Sequence, residues 1–464
     1  MKPVILLPPN ARLHIIGIGG AGMSAIAIVL MERGYQVSGS DQSESEVTRR
    51  LSDQGARVFI GHRAENVGEV DMVIASSAVH EDNLEFAAAR SRGIPVSKRA
   101  QFLSWLMQGS LGVAIAGTHG KTTTTAMITQ ILLGAGRDPS FIVGGTIGAI
   151  GKSAHAGRDR EFVIEADEYD RTFLGITPTI AIITNIEHDH PDYYPTFDDV
   201  LAAFRSFIKL LPADGLLVVC GEDVPATKLA SSAPRKIVYG FDSKFDWYAT
   251  DVRPNNAGGN DFLAYHQGES LGLVRLRVPG EHNVLNALAA LAATDRLGVP
   301  FGAAQDALSE FRGVGRRFEV RGEVKGVTIV DDYGHHPTEI KATLAGARQR
   351  YPDRAIWAVF QPHTYSRTKT LLDQFAAAFV DADHVIVTAI YAAREKDTLG
   401  ISTADVVRSL DHTDARAIDA LTDAVEYLRA HTKEGDVVIT FSAGDANKIS
   451  TEMINEQVTV NNDE

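Results

Sequence analysis

The sequence predicts an α/β protein with a Rossmann-like N-terminal domain, a central P-loop ATPase-type domain with a mixed sheet, and a C-terminal Rossmann-like α/β domain. Glycine-rich strand-to-helix turns occur twice, at residues 17–22 and 117–120. After a β-rich stretch, alternating strands and helices resume near residue 328. A chain of 464 residues has room for two to four domains. We predict domains at residues 1–108, 109–314 and 315–464.

The first glycine turn follows a short apolar strand and precedes a helix at about residues 22–33. The pattern G-x-G-x-x-G, with Asp41 about 20 residues further on, is typical of a turn that holds a diphosphate at a helix N-terminus. A glycine turn that serves only helix–sheet packing is the alternative. The residues predicted to bind the diphosphate-containing ligand are Gly17, Gly19, Gly20, Ala21, Gly22 and Asp41.

The second glycine turn has the layout of a nucleotide-phosphate loop. An apolar strand, residues 113–116, leads into G-T-H-G-K-T and then into a helix over residues 122–133. Lys121 is expected to neutralise phosphate charge, and the Thr122 hydroxyl to ligate Mg²⁺. The usual first glycine of this motif is replaced by Ile115, so an ordinary strand-to-helix turn is the open alternative.

Acidic and histidine side chains follow two apolar strands of the central domain. Glu165 and Glu168 end the strand at 161–167, and His190 closes a polar run after the strand at 179–186. Such strand ends border the ligand crevice of an open α/β sheet, where carboxylates are suitable Mg²⁺ ligands. A histidine ligand suits Mn²⁺ better, and strand-end capping is the alternative role for His188 and His190.

The remaining chain is predicted to contain a β-rich flank followed by a second alternating region. We expect helices at 197–211, 282–297, 302–311, 337–350, 367–379, 403–409 and 417–429, a hairpin over 261–279, and strands at 215–220, 236–241, 247–252, 328–332, 355–360, 384–390 and 436–441. Polar clusters after three of the C-terminal strands, at 331–337, 361–367 and 442–445, predict a site on one sheet edge.

Composition excludes several classes of protein. The net charge of −14 argues against a general nucleic-acid or anionic-membrane surface. The single cysteine, Cys220, excludes an intramolecular disulfide framework and is expected to be a buried strand residue without a role. No stretch is suited to span a bilayer, and the N-terminus is a poor signal peptide. We therefore predict a cytoplasmic protein.

Taken together, the motifs resemble those of the Mur ligases, the ATP-dependent amide-forming enzymes of peptidoglycan precursor synthesis. The resemblance covers essentially the whole chain. It is carried by the G-T-H-G-K-T loop, Glu165-Ala-Asp-Glu168, the run from Thr184 to His190, Glu281-His-Asn283-x-x-Asn286 and the run from Asp331 to Thr338.

The resemblance implies a ligase that joins L-alanine to the carboxylate of UDP-N-acetylmuramic acid through an acyl phosphate. ATP and Mg²⁺, with Mn²⁺ as an alternative, would be its cofactors. It implies ATP binding by Gly117, Thr118, His119, Gly120, Lys121, Thr122, Thr123, Asn283, Asn286 and Arg317. It also implies metal binding by Thr122 and Glu165, with His190 at a second metal site and Glu168 as a secondary candidate. Catalysis is implied for Lys121, His190, His336 and Arg367, and UDP-sugar binding for the first glycine turn and Asp41.

Three alternative functions remain open at this stage. A recycling ligase would attach a ready-made peptide to the same sugar nucleotide. A nicotinamide-dependent oxidoreductase would explain only the first glycine turn, and a P-loop regulatory ATPase only the second. Phe204 and Arg205 stand where sister ligases carry a carbamylated lysine, so none is expected, and Thr364 stands where the alanine ligases often have arginine. We predict no nucleic-acid partner, no membrane insertion and a monomer or weak homodimer.

Overall fold

In the part of the chain that the structure describes, three β-sheets form, each from one continuous stretch of sequence. The computed structural model describes residues 7–76, 78–80, 82–397 and 399–460, and of residues 456–460 it describes the backbone alone. No helix within these ranges is long and apolar enough to cross a membrane. The predicted α/β class with three sheet-based domains is confirmed.

The N-terminal sheet is parallel and carries the first glycine turn. Its strands are β1 (Arg12–Ile16), β2 (Gln36–Asp41), β3 (Arg57–Ile60), β4 (Met72–Ala75) and β5 (Val96–Lys98). Its helices are α1 (Ala21–Glu32), α2 (Glu46–Asp53), α3 (Leu84–Ser91) and α4 (Arg99–Leu106). The strand order β3-β2-β1-β4-β5 places β1 at the centre, so the turn that follows β1 lies in the middle of the carboxyl edge, where open α/β sheets bind ligands.

The central sheet is mixed, as the sequence predicts. Its strands are β6 (Leu111–Ala116), β7 (Ser140–Ile147), β8 (Lys152–His155), β9 (Glu161–Glu165), β10 (Ile180–Ile183), β11 (Leu216–Cys220), β12 (Lys236–Gly240), β13 (Trp247–Pro254), β14 (Asn260–His266) and β15 (Glu269–Arg275). Its helices are α5 (Lys121–Gly134), α6 (Phe197–Ile208), α7 (Val224–Leu229), α8 (Glu281–Arg296) and α9 (Phe301–Ser309). Strand β6 lies between β10 and β9, parallel to both, so the carboxyl ends of these three strands meet at one edge.

The C-terminal sheet resumes the parallel pattern. Its strands are β16 (Glu319–Val324), β17 (Val327–Asp332), β18 (Ile356–Phe360), β19 (His384–Val387), β20 (Ala415–Ala417) and β21 (Val437–Phe441). Its helices are α10 (Pro337–Arg350), α11 (Tyr365–Thr370), α12 (Leu372–Phe375), α13 (Thr403–Ser409), α14 (Leu421–His431) and α15 (Asn447–Val460). Among its described strands only β16 runs antiparallel to its neighbour. Strands β17, β21 and β18 are adjacent, so the three predicted polar clusters do share one edge.

Buried aliphatic strands and alanine-rich helices form the cores. In the central domain, Ile128 and Ile131 of α5 share one core with Ala287 and Leu291 of α8, and all four are at most 1% exposed. The small side chains of α8 allow close helix packing against the sheet. Because α5 and α8 begin at the ligand edge, this packing fixes their N-terminal residues relative to each other.

Several elements differ from the sequence prediction. The single helix expected at 367–379 is divided into α11 and α12, because Leu371 (φ −102°, ψ 12°) leaves the helical conformation and lies buried in the core. The helix expected at 417–429 begins only at Leu421, since residues 415–417 form β20. The hairpin of β7 and β8 and the helices α2 and α15 have no counterpart in the prediction.

Candidate active site

The loop between β6 and α5 needs glycine at two positions. Gly117 and Gly120 have φ values of 137° and 80°. A Cβ atom on Gly117 would lie 1.9 Å from Thr184 Oγ1, and one on Gly120 would lie 2.5 Å from Asn286 Oδ1. The loop is also held by the His119 N–H, which donates to Asn185 Oδ1 at 2.8 Å. Its backbone is therefore fixed against both β10 and α8.

Lys121 is directed back over this loop and forms a buried ion pair. Its Nζ donates to the carbonyl oxygens of Gly117 (2.6 Å) and Thr118 (3.1 Å), and lies 2.9 Å from Glu168 Oε2. Burial alone would lower the pKa of Lys121, but the nearby carboxylates, first of all Glu168, outweigh it and raise the pKa. Lys121 is thus a cation at neutral pH, as a phosphate-binding lysine must be.

Thr122 and Glu165, two of the predicted metal ligands, are in direct contact. The Thr122 hydroxyl donates to Glu165 Oε2 at 2.9 Å, and the Gly144 N–H donates to the same oxygen at 2.8 Å. A hydroxyl and a carboxylate are the oxygen donors that Mg²⁺ prefers, with its other positions left for water and phosphate. The donor set therefore fits a magnesium ion at the first turn of α5.

His190, the predicted ligand of a second metal site, lies beside Glu168. Its Nε2 is 3.8 Å from Glu168 Oε1 and 3.7 Å from Asp189 Oδ2. His190 has a left-handed φ of 55°, a backbone conformation that is uncommon outside glycine. The structure thus forms two groups around Lys121, with Thr122 and Glu165 in one, and His190 and Glu168 in the other.

A cavity of about 400 Å³ adjoins the phosphate loop. Three parts of the chain that were predicted to bind ATP contribute to its wall: the loop with α5, the first turns of α8, and the segment before β16. Their lining residues are His119, Gly120, Thr122, Thr123, Asn283, Asn286 and Arg317. Three other predicted ATP-binding residues, Gly117, Thr118 and Lys121, belong to the same loop but are not among the lining residues.

The two predicted asparagines of α8 belong to one hydrogen-bond chain. Asn283 Nδ2 donates to the Pro279 carbonyl (2.7 Å), Asn286 Nδ2 donates to Asn283 Oδ1 (3.1 Å), and the Thr124 hydroxyl donates to Asn286 Oδ1 (3.1 Å). Both side chains are less than a tenth exposed. This chain presents polar amide groups to an otherwise largely apolar cavity wall, an arrangement suited to a flat, hydrogen-bonding ring.

Several cavity residues were not predicted from the sequence. Cys220, expected to have no role, is buried at the end of β11 as predicted but lines the cavity together with Tyr239 at the end of β12. Burial raises the pKa of the Cys220 thiol to about 11, so it is an uncharged wall residue. His282, Glu187 and Glu339 also contribute. Their positions in the chain could have indicated a role: Glu187 follows β10, and His282 and Glu339 lie in the first turns of α8 and α10. Ends of strands and helices at this edge border the ligand site of an α/β sheet.

Arg367 links the C-terminal domain to the central domain through a buried ion pair. Its Nε donates to Asp189 Oδ1 at 2.7 Å, and its Nη1 and Nη2 lie 2.9 Å from His363 Nδ1 and 3.4 Å from His190 Nδ1. Burial would raise the pKa of Asp189, but His190 and Arg367 hold it well below its usual value. Thr364, in place of the arginine noted above, caps α11 by accepting from the Arg367 N–H at 3.4 Å.

His336, from the C-terminal domain, lies next to His119 of the phosphate loop. It caps α10, its ring lies 4.6 Å from that of His119, and its Nδ1 is 3.5 Å from Glu187 Oε2. Burial, and secondly the charge of His119, lower the pKa of His336 to about 4. Burial would also lower the pKa of His119, but Glu339 and Glu187 raise it to about 9. One ring is therefore neutral and the other charged at pH 7.

The first glycine turn is shaped by its contacts with β2. The N–H groups of Gly17 and Ile18 both donate to the Ser40 carbonyl, at 2.8 and 3.0 Å. The Gly19 N–H donates to Asp41 Oδ2 at 2.9 Å. Of the residues predicted to bind the diphosphate, Gly20 is the N-cap of α1, and Ala21 and Gly22 are the first two residues of that helix. The turn and Asp41 thus form one unit at the carboxyl edge of the N-terminal sheet.

Comparison with known families matches three domain models along the chain. They are described as the Mur ligase family catalytic domain (residues 12–110), the Mur ligase middle domain (residues 115–294) and the Mur ligase glutamate ligase domain (residues 316–444). Together they span most of the sequence.

Individual relatives are similar over nearly the full length. The UDP-N-acetylmuramate–L-alanine ligase of Caldanaerobacter subterraneus subsp. tengcongensis is 45% identical over 449 residues, which cover 96% of this chain and 97% of the relative. The crystal structure of the UDP-N-acetylmuramate-alanine ligase MurC of Thermotoga maritima has a TM-score of 0.82 at 29% identity, covering 97% and 100% of the two chains. A murein peptide ligase from Psychrobacter arcticus has a TM-score of 0.71 at 26% identity, covering 96% and 98%.

Proposed function

Because the chain belongs to the Mur ligase family, we propose that it joins L-alanine to UDP-N-acetylmuramic acid at the expense of ATP. The supporting observation is that three features come together at the edge of the central sheet: the glycine loop with Lys121, the hydroxyl–carboxylate pair of Thr122 and Glu165, and the buried Arg367 of the C-terminal domain. We call this meeting place the junction. The full-length similarity to L-alanine ligases favours this substrate over a peptide. Similarity to a murein peptide ligase, with a lower TM-score, keeps the recycling reaction as the second candidate.

The proposed reaction has two chemical steps. A carboxylate oxygen of the muramic acid attacks the γ-phosphorus of ATP, and ADP leaves, which yields an acyl phosphate. The amine nitrogen of L-alanine then attacks the acyl carbon, and the tetrahedral intermediate expels inorganic phosphate and loses a proton. In the first step two anions must approach each other, so the site has to supply positive charge.

The residues of this chain are suited to that task. Lys121 is expected to leave Glu168 for the terminal phosphates, and Thr122 and Glu165 to hold Mg²⁺, which would neutralise phosphate charge. Arg367 and His190 lie on the side of Lys121 that the C-terminal domain closes, where they are placed to stabilise the developing negative charge. We assign His336, whose ring lies 4.6 Å from that of His119, to the reacting end of the site.

We assign the substrates to the three predicted domains. Residues 1–108 would bind the UDP-sugar through Gly17, Gly19, Gly20, Ala21, Gly22 and Asp41. Residues 109–314 would bind ATP, and residues 315–464 would close over ATP and the amino acid. A cytoplasmic location and a monomer or weak homodimer stay predictions, to be examined by cell fractionation and sedimentation equilibrium.

Phosphate release from ATP tests the function directly. With UDP-N-acetylmuramic acid present, we expect release that depends on L-alanine, together with the matching mass increase of the sugar nucleotide. Release with a murein tripeptide but not with L-alanine would instead identify the recycling reaction. Release without either acceptor would indicate a plain ATPase, and no release in any mixture would contradict the ligase assignment.

A further inference from the structure

Arg99, which no motif singles out, lies directly on the first glycine turn. It is the first residue of α4 and follows β5, so it stands at the same sheet edge as the turn. A Cβ atom on Gly22 would lie 2.5 Å from Arg99 Cζ and 2.6 Å from its Nη2. The guanidinium group therefore rests against the backbone of Gly22, and only glycine leaves room for it there.

This placement of a cation is electrostatically unfavourable by itself. Gly22 is in the first turn of α1, where the helix dipole is positive and the free N–H groups repel positive charge. Within the described residues, the N–H groups of Ala21 and Gly22 donate to no protein acceptor. A guanidinium beside these donors needs an anion between them.

The guanidinium of Arg99 does not have an acceptor in the described part of the chain for every one of its N–H groups. Its Nε atom is buried without a hydrogen-bond partner among the described residues. Its Nη1 lies 3.6 Å from Asp167 Oδ2, longer than a hydrogen bond, and the Asp167 side chain is 35% exposed. A buried donor without an acceptor lowers stability, so the arrangement is one that a bound anion would complete.

The position of Arg99 is fixed by close packing between two domains. Helix α4 lies against the segment Tyr169–Gly175 of the central domain. A Cβ atom on Gly175 would lie 1.8 Å from the Ala100 carbonyl oxygen. The backbone that carries Arg99 is thus held in place, and its guanidinium is preorganised over the turn.

We propose that Arg99 binds the diphosphate of the UDP-sugar, together with the N–H groups of Ala21 and Gly22. This inference rests on the proposed function and adds a residue to its substrate site. A guanidinium offers a planar, two-pronged donor that matches phosphate oxygens. The diphosphate supplies both missing partners at once, an acceptor for Arg99 and a negative charge at the start of α1.

Titration calorimetry with UDP, in the absence of ATP, tests the assignment. UDP carries the diphosphate but neither the sugar nor its carboxylate. We expect Arg99→Gln to weaken UDP binding by about tenfold or more, as for loss of a charge-assisted hydrogen bond. UDP-N-acetylmuramic acid should lose affinity by a similar factor, and Arg99→Lys should recover part of the loss. In turnover assays the KM for the sugar nucleotide should rise while the KM for ATP stays unchanged.

Two variants separate this role from a structural one. Asp167→Asn breaks the ion pair between domains but leaves Arg99 in place, so UDP affinity should be retained. Arg50→Gln removes an exposed arginine of the same domain and controls for net charge. Equal loss in Asp167→Asn and Arg99→Gln would show that Arg99 acts only through the domain contact and would overturn the proposal.

The outcomes also distinguish the proposal from the function on which it rests. If Arg99→Gln weakens UDP-N-acetylmuramic acid but not UDP, the arginine binds the sugar carboxylate, and the diphosphate assignment is wrong. If wild-type protein binds UDP and Arg99→Gln binds it equally well, the proposal fails while the proposed function stands. If wild-type protein binds neither nucleotide, the proposed function itself fails.

Discussion

Individual charged residues at the junction are held in buried ion pairs. Lys121 and Glu168 form such a pair, with side chains 13% and 4% exposed. A buried ion pair contributes little net stability, but removing one partner leaves an uncompensated charge that costs about 3–5 kcal/mol. Effects of mutation on folding and on chemistry therefore have to be separated.

A pair of variants makes that separation for Lys121. We expect Lys121→Met to reduce kcat at least about a hundredfold, because a preorganised charge on the phosphates is lost, and also to lower the melting temperature. Lys121→Met combined with Glu168→Gln should recover melting temperature but not turnover. Stopped assays and calorimetry measure the two quantities. Near-normal turnover in a folded Lys121→Met protein would contradict the phosphate-loop assignment.

Glu165 is predicted to be a Mg²⁺ ligand, so its removal should change the Mg²⁺ concentration that the enzyme needs. We expect Glu165→Ala to raise the Mg²⁺ concentration for half-maximal activity by at least about tenfold, since one of two protein ligands is removed. Magnesium titrations of turnover at saturating ATP measure this, with the exposed Glu269→Ala as the control. A normal titration for Glu165→Ala would transfer the metal role to Glu168.

At the scale of elements, the start of α10 is the point where the C-terminal domain meets the phosphate loop. Glu339 accepts from the N–H of His335 at 3.0 Å and lies 3.1 Å from His119 Nδ1, while the Thr338 hydroxyl donates to Glu187 Oε2 at 2.7 Å. The start of α10 thus provides an acceptor for a backbone N–H at its own N-terminus and also contacts His119 and Glu187 of the central domain. Its position is coupled to the charge of His119.

That coupling predicts a pH-dependent contribution to stability. The folded-state pKa of His119, about 9, lies above the unfolded value of about 6.5. Its stabilising contribution is therefore complete below about pH 6.5 and disappears as pH rises through 9. The melting-temperature difference between wild type and His119→Gln should shrink steadily over this interval in ligand-free protein. A constant difference for His119→Gln over this interval would refute the assigned shift.

At the scale of the whole molecule, a short connection separates the central domain from the C-terminal domain, which we expect to close over it. Gly313 and Arg316 have left-handed φ values of 86° and 60°, which non-glycine residues adopt at some cost in energy. Polar side-chain contacts join the two domains, among them Arg367–Asp189, Arg394–Asp192 and Thr338–Glu187. Polar interfaces of this kind are typical of domains that move relative to each other, so domain motion is expected.

Small-angle scattering can detect this motion. We expect the radius of gyration to decrease when ATP and UDP-N-acetylmuramic acid are both added. Arg367→Met should reduce that decrease, because the buried ion pair with Asp189 no longer closes the junction. Identical radii for wild type with and without ligands would argue against a swinging C-terminal domain.

Local features of the fold and site could be predicted because they depend on neighbouring residues. Gly117 and Gly120 reveal a strand–turn–helix, since the backbone conformations they adopt are open mainly to glycine. The division of residues 367–379 into α11 and α12 could not be predicted, because Leu371 turns into a core that distant residues form. The hairpin β7–β8 was missed for a similar reason, as its β7 strand pairs with β9.

The sequence by itself determined the α/β class, the two glycine turns, and the grouping of polar residues at strand ends. These follow from local periodicity and from the geometry of parallel sheets. Only the tertiary structure decided that His119 lies between Glu187 and Glu339, that Cys220 lines the cavity, and that Arg99 rests on Gly22. Such contacts join residues that are far apart in the chain. The distances between these residues and their burial determine whether each side chain is charged, and no local sequence pattern encodes those distances.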